Sequence, residues 1–266
     1  MKKITICRGC LLLCAAALTT GAQAVGYEPA DSVTRIVPEQ WAVDPQEWVD
    51  TALLHQTHQP ADPYASLTED DYRHVADELG IDVAAIKAVV DIEAGPTAKG
   101  FWAPGKPVIN FDLSMFRKFA PRNGLSIATA KKKAPVIFAR PNIRKYGSQQ
   151  AGQQARLDAA CELNPAAGIE GTFWGMFQIG GFNWKKLGFE SPEAFAAEMS
   201  RSERAQLEIF ARFISVFNMV DDIRNHRWLK FALKYNGPRA KSRGYHTRMA
   251  AAYARHKKET AGATEK

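Results

Sequence analysis

Between Ile81 and Phe116 the chain reads IDVAAIKAVVDIEAGPTAKGFWAPGKPVINFDLSMF, and no other stretch restricts the fold as much. Val83, Ile86, Val89 and Val90 recur at helical spacing, with Asp82 placed as an N-cap. Glu93 falls seven residues after Ile86, four after Val89 and three after Val90, which puts its carboxylate on the apolar face. Asp91, Lys87 and Ala84 share a more solvated face. Gly95 and Pro96 stop the helix and leave Glu93 at its C-terminal end. Burial and the negative end of the helix dipole both disfavour the ionised carboxylate there. A carboxyl that keeps its proton near neutral pH can act as a general acid, which glycosidic cleavage requires. The plainer reading is a helix-end glutamate that caps the helix or pairs with a lysine.

Residues 1–24 have the composition of a secretory signal peptide. Lys2, Lys3 and Arg8 precede an apolar run from Cys10 to Leu18, and Ala22-Gln23-Ala24 offers a small-residue cleavage site. The run is too short for a bilayer span, so stable membrane insertion is not expected. Cleavage near Ala24 would remove Cys7, Cys10 and Cys14 and leave Cys161 alone, so no intramolecular disulfide could form in an oxidising compartment. It would also lower the formal net charge from +7 to +4 and leave 242 residues, enough for one large domain. A mildly basic chain suits an anionic partner, and no nucleic-acid recognition motif accompanies the charge.

Residues 25–66 are punctuated by five prolines and form an N-terminal extension, with Trp41 and Trp48 as packing or partner-binding side chains. His55 and His58 have metal-compatible spacing but no further ligands nearby, so neither a metal nor another cofactor is implied. Thr68 and Asp71 have capping-box spacing and open a helix that runs to Leu79, ended by Gly80. After Gly95 the chain reads as loop and then as a short strand over Val108–Phe111. Asp112 follows, placed by spacing as the N-cap of a helix from Leu113 to Phe119.

Residues 120–170 look least regular. Lys131-Lys132-Lys133 reads as a solvated face or an approach surface for an anionic polymer, and Gln153–Leu163 as a helix containing a small buried Cys161. In Phe173-Trp174-Gly175-Met176-Phe177-Gln178-Ile179-Gly180-Gly181 the glycines allow close backbone approach, Gln178 can hydrogen-bond a ligand, and Trp174 is a cleft wall or a core side chain. Ser191-Pro192-Glu193 starts a helix, and Ser200 or Ser202 starts another whose apolar stripe is Leu207, Phe210, Phe213, Ile214 and Phe217. Trp228, Phe231, Ala232 and Tyr235 mark a further helix, ended at Asn236-Gly237-Pro238. Tyr245, Met249 and Tyr253 suggest a closing helix, with residues 256–266 a disordered polar tail.

From about Leu67 to Arg255 the chain resembles the N-acetylmuramidase family of lysozyme-like peptidoglycan hydrolases. AIKAVVDIEAG at 85–95, GKPVINFD at 105–112, WGMFQIGGFN at 174–183, SRSERAQLEIFARFI at 200–214 and FALKYNGP at 231–238 carry the resemblance, in the family's order. It implies a mainly α, lysozyme-like fold: a helical bundle around a glycan cleft with a small β element. The implied activity is hydrolysis of the β-1,4 bond between N-acetylmuramic acid and N-acetylglucosamine. Glu93 would protonate the leaving oxygen, with lysozyme as the worked example of such an acid. Asp112, assisted by Tyr235, would orient water or stabilise the sugar cation, and Trp174, Gln178 and Asn236 would line the groove. Where the family has a glutamate followed by Arg and His, this chain has Asp112, Leu113 and Ser114.

Two alternatives accompany this reading. A lytic transglycosylase uses the sugar's own hydroxyl and can manage with one acid; the segment around Gln178 also resembles the Gly-x-x-Gln motif of such enzymes and of goose-type lysozymes. A wall-binding or scaffold protein would keep the fold without the chemistry. With the signal peptide, the resemblance implies a periplasmic or secreted protein, and residues 25–66 a possible protein partner.

Overall fold

A computed structural model describes residues 64–95, 99–140 and 143–264. The signal sequence, Trp41, Trp48, His55 and His58 lie outside the described residues. The expected helices form where the spacing placed them. Helix α1 (Glu69–Leu79) opens on a reciprocal capping box between Thr68 and Asp71 and ends at Gly80, which takes φ 59°. Helix α2 (Val83–Glu93) follows at once and buries Ile86, Val89 and Val90 completely or nearly so. Asp82 stands at its N-cap without capping: its carboxylate accepts instead from the Tyr253 hydroxyl at 2.6 Å and Lys257 Nζ at 3.3 Å.

The β element is larger than one strand. A short hairpin, β1 (Phe101–Ala103) with β2 (Lys106–Pro107), precedes β3 (Ile109–Phe111). Strand β3 pairs antiparallel with β4 (Thr172–Trp174), Ile109 opposite Trp174 and Phe111 opposite Thr172; β4 then pairs with β5 (Ile179–Gly180). The partner strands lie some sixty residues apart in the chain, beyond the reach of local pattern reading.

The stretch between them is more helical than its composition suggests. Helices α3 (Leu113–Phe119), α4 (Ile127–Lys133), α5 (Ile143–Tyr146), α6 (Gln149–Leu163) and α7 (Pro165–Glu170) fill it. Ser126, Ser148 and Asn164 cap α4, α6 and α7 through their side chains, so local caps replace an apolar stripe as the organising signal. Cys161 is buried, with its sulfur against Gly168.

The C-terminal third holds α8 (Pro192–Met199), α9 (Glu203–Val216), α10 (Val220–Arg224), α11 (Trp228–Asn236) and α12 (Tyr245–Thr264). Helix α12 corrects two expectations. It continues through Lys257 to Thr264 where a disordered tail was expected, and it lies along α2. There Arg255 pairs with Asp91 and His256 Nε2 stands 2.7 Å from the same carboxylate, so the face of α2 bearing Asp91 is covered, not free. One apolar cluster runs from Tyr72 to Met249 and includes side chains of α2, β3, α9 and α11. No helix among the described residues is long and apolar enough to cross a membrane.

Candidate active site

Glu93 is the last residue of α2. Ala94 closes the helix by donating its N–H to Val90 O at 2.8 Å, and Gly95 (φ 74°) turns the chain away. The side chain is half-buried, so it meets both the core and the surface. Its Oε1 accepts from Asn236 Nδ2 at 2.6 Å. Asn236, the last residue of α11, is only 3 % exposed, and its own Oδ1 is buried without a hydrogen-bond partner among the described residues. A buried carbonyl left unpaired costs about 1–3 kcal/mol. The fold tolerates this while one amide N–H points at the carboxylate.

Tyr235, the preceding residue, is fully buried among Phe210, Phe213 and Phe231, and its hydroxyl donates to Phe177 O at 2.6 Å. Adjacent residues of α11 therefore hold two different things: Asn236 the acid, Tyr235 the turn between β4 and β5. Within that turn Gln178 is half-buried at φ 47°, a left-handed conformation that costs a non-glycine residue about 1–3 kcal/mol. Its Nε2 donates to Gly175 O at 2.9 Å.

Sequence reasoning missed two side chains of α9 that complete this frame. Gln206, wholly buried, accepts from Met176 N at 2.9 Å and donates to Gly100 O at 3.2 Å and Met199 O at 3.0 Å. Glu203 accepts from Gly100 N at 2.6 Å and Leu67 N at 3.1 Å. One turn of α9 thus ties the loop after Glu93 to the hairpin turn and to the start of α1. The glycines pack against protein, not ligand: a Cβ on Gly100 would lie 2.5 Å from Gln206 Oε1, and one on Gly175 would lie 2.6 Å from Met199 Cε. The available signal was Glu203 and Gln206 in register with Leu207 and Phe210, polar groups on an apolar stripe.

Glu203 competes with Glu93 as a candidate acid, since burial pushes its carboxyl above the ordinary value. Both its oxygens, however, are taken by backbone N–H groups that it must meet as an acceptor, and it is 3 % exposed. It braces two backbone segments, whereas Glu93 is half-buried and meets a side-chain amide.

Asp112 is placed as a cap. It sits at the N-cap of α3 and Oδ1 accepts from Ser114 N at 2.7 Å and Met115 N at 2.9 Å. It is 4 % exposed; burial pushes its carboxyl up, opposed by those N–H groups and by the Arg156 guanidinium. Asp112 N bonds Gly171 O while Gly175 N bonds Val108 O, so Asp112 and the hairpin turn stand at opposite ends of β3. Val108 and Asp112 are four strand steps apart, about 13 Å. The structure brings Glu93, Asn236, Tyr235 and the Gln178 turn together and sets Asp112 at the far strand end. Trp174 is a core side chain: it is 3 % exposed, its Nε1 donates to Ile169 O at 3.2 Å, and its ring meets Phe195 edge-on, so its face is not available to a sugar. No cluster of metal-ligating residues occurs among the described residues.

The fold and this site define a mainly α, lysozyme-like domain with a small antiparallel sheet. Residues 82–257 match the family model for N-acetylmuramidase, and the chain belongs to that family of peptidoglycan hydrolases. Among solved structures it is similar to the crystal structure of Burkholderia AP3 phage endolysin, with 31 % identity and a TM-score of 0.60 over 81 % of this chain and 78 % of that one. A comparison with curated proteins gives no match.

Proposed function

We propose that this protein hydrolyses the β-1,4 bond between N-acetylmuramic acid and N-acetylglucosamine, with Glu93 as the general acid. The observation that carries the reading is a half-buried carboxyl at the C-terminal end of an apolar helix, positioned by a buried amide. The helix dipole and partial burial favour the protonated form, and Glu93 gives that proton to the leaving oxygen as the bond breaks. Asn236 steadies the carboxylate that results, because N–H donation favours the charged form. The same carboxylate is then the base nearest the incoming water. Gln178 lines the glycan groove, Tyr235 fixes the turn that presents it, and Asp112 shapes the groove by anchoring α3. The protein acts in the periplasm or outside the cell after cleavage near Ala24.

Asp112's engagement as a cap favours a second reading, a lytic transglycosylase, in which the muramyl hydroxyl replaces water and one acid suffices. Turbidity loss of purified peptidoglycan with wild type and Glu93→Gln tests the acid. Mass spectrometry of the products separates the chemistries, reducing ends for hydrolysis and anhydro ends for transglycosylation. Glu93→Gln clearing at the wild-type rate rejects both.

A further inference from the structure

Two stretches of the chain are basic and contain no acid; in residues 223–258, six of the eleven Lys and Arg pair with carboxylates, among them Arg227, Lys230 and Lys234 with Asp222. Residues 113–157 contain ten Lys and Arg and no Asp or Glu, whereas in the remainder of the chain 25 Lys and Arg are outnumbered by 28 acids. The segment is α3, α4, α5 and the first half of α6, with their connecting turns. Nine of the ten cations, from Arg117 to Lys145, are exposed. Lys131, Lys132 and Lys133, at the C-terminal end of α4, make no ion pair among the described residues. A single-sign patch on a chain whose remaining residues are net acidic is an electrostatic footprint for an anionic partner.

A second feature lies in the same lobe. A cavity of about 350 Å³ is lined by Arg140, Lys145 and Arg156, with Tyr146, Pro135 and Val136 among its walls. Arg156 is 7 % exposed and held rigidly: Nε donates to Ile137 O at 3.1 Å, and Nη1 donates to Phe111 O at 3.1 Å and to Gln153 Oε1 at 3.2 Å. Its Nη2 has no hydrogen-bond acceptor among the described residues. Burial lowers its pKa to about 10, and the Asp112 charge opposes that shift, so it remains a cation at neutral pH. A fixed guanidinium beside two exposed cations suits a carboxylate or another planar oxyanion.

The lobe adjoins the β element. Gln150 Oε1 accepts from Ile109 N at 3.0 Å and Gln153 Nε2 donates to Asn110 Oδ1 at 3.2 Å, so α6 is pinned to β3. A glycan strand lying by β3 would carry its stem peptides past these cations. Nucleic acid is disfavoured, since its single strands need free aromatic faces. Here Phe116 is buried, Phe119 is stacked on Phe182 at 5.2 Å, Arg117 lies over the Phe138 ring and Lys145 over that of Tyr146.

We infer that residues 113–157 form an anion-recognition lobe that holds peptidoglycan by the carboxylates of its stem peptides, with the cavity at Arg140, Lys145 and Arg156 as the seat for one of them. This rests on the peptidoglycan reading above but not on catalysis. The test uses the full chain carrying Glu93→Gln, sedimented with purified sacculi. Three forms are compared: this parent, the parent with K131Q/K132Q/K133Q, and the parent with R140Q/K145Q. At about 0.05 M salt each added set weakens binding about tenfold, and the differences shrink at about 0.5 M salt as screening shortens the reach of the charges. Converting the sacculus carboxylates to amides produces the same loss with the parent. Thermal melts within about 2 °C of the parent confirm that the variants are folded. Equal binding by all folded forms, or by amidated and native sacculi, overturns the proposal. Tighter binding to duplex DNA or to phosphatidylglycerol vesicles than to sacculi, lost in the same variants, also overturns it and names the other partner. A parent that binds sacculi by this rule while wild type releases no fragments leaves the lobe standing and removes the hydrolase reading.

Discussion

The end of α2 and the start of α3 each carry one carboxylate, and they differ in nearly every respect that matters for chemistry. Glu93 stands at a negative helix end, half-buried, with a side-chain amide on one oxygen. Asp112 stands at a positive helix end, buried, with two backbone N–H groups on one oxygen. The first environment suits the proton donor proposed above; the second engages the carboxylate in holding a helix. Helix polarity and the kind of donor each meets, more than burial alone, distinguish the two carboxylates. Glu203 makes the same point, because burial raises its pKa and two backbone donors still keep it structural.

Substitutions at four positions test that contrast, in falling order of effect. Glu93→Gln lowers the rate of peptidoglycan clearing by about 10³-fold, within the range for a general acid, while the melting temperature stays within about 2 °C. A retained rate in a folded variant places the acid elsewhere. Asn236→Ala slows clearing about 10- to 100-fold, and the alkaline limb of the pH–rate profile moves to higher pH, because the lost N–H favoured the ionised carboxylate. A rate loss without that movement assigns Asn236 to packing alone.

Glu203→Gln costs about 1–3 kcal/mol by denaturant melts, since one of two buried N–H groups then meets an amide donor. The pH dependence has a definite sign. Burial holds the Glu203 carboxyl above its ordinary 4.5, so its proton favours the folded state below pH 4.5 and that contribution fades as pH rises through the window above it. The Gln variant flattens this part of the stability curve. Asp112→Asn, which keeps an acceptor for the cap, changes clearing by no more than about threefold, whereas Asp112→Ala loses about 1–2 kcal/mol of stability. A hundredfold slower Asn variant with an unchanged melt would show that the charge, not the cap, is what matters, and would reverse the contrast.

Much of the frame was legible in the chain. Apolar spacing and caps placed α1, α2, α8, α9 and α11, because these depend on neighbours three and four residues away. The same logic put Glu93 at a helix end facing the core. The buried readings of Tyr235 and Trp174 were visible as one of two options each, and only packing selected between them: Phe177 O takes the tyrosine hydroxyl and Ile169 O the indole N–H. The capped stretch from Ser126 to Asn164 was harder to read, as its helices are short and lack a continuous apolar stripe.

From sequence alone came Glu93 as the candidate acid, its helix and the family; these rest on local spacing and on motifs in fixed order. Tertiary structure alone decided that α12 covers α2 through Asp91, that β3 finds β4 across sixty residues, and that Asn236 rather than a second carboxylate meets Glu93. Such pairings join residues far apart in the chain, and their partners are chosen by how the core closes, which no local pattern encodes.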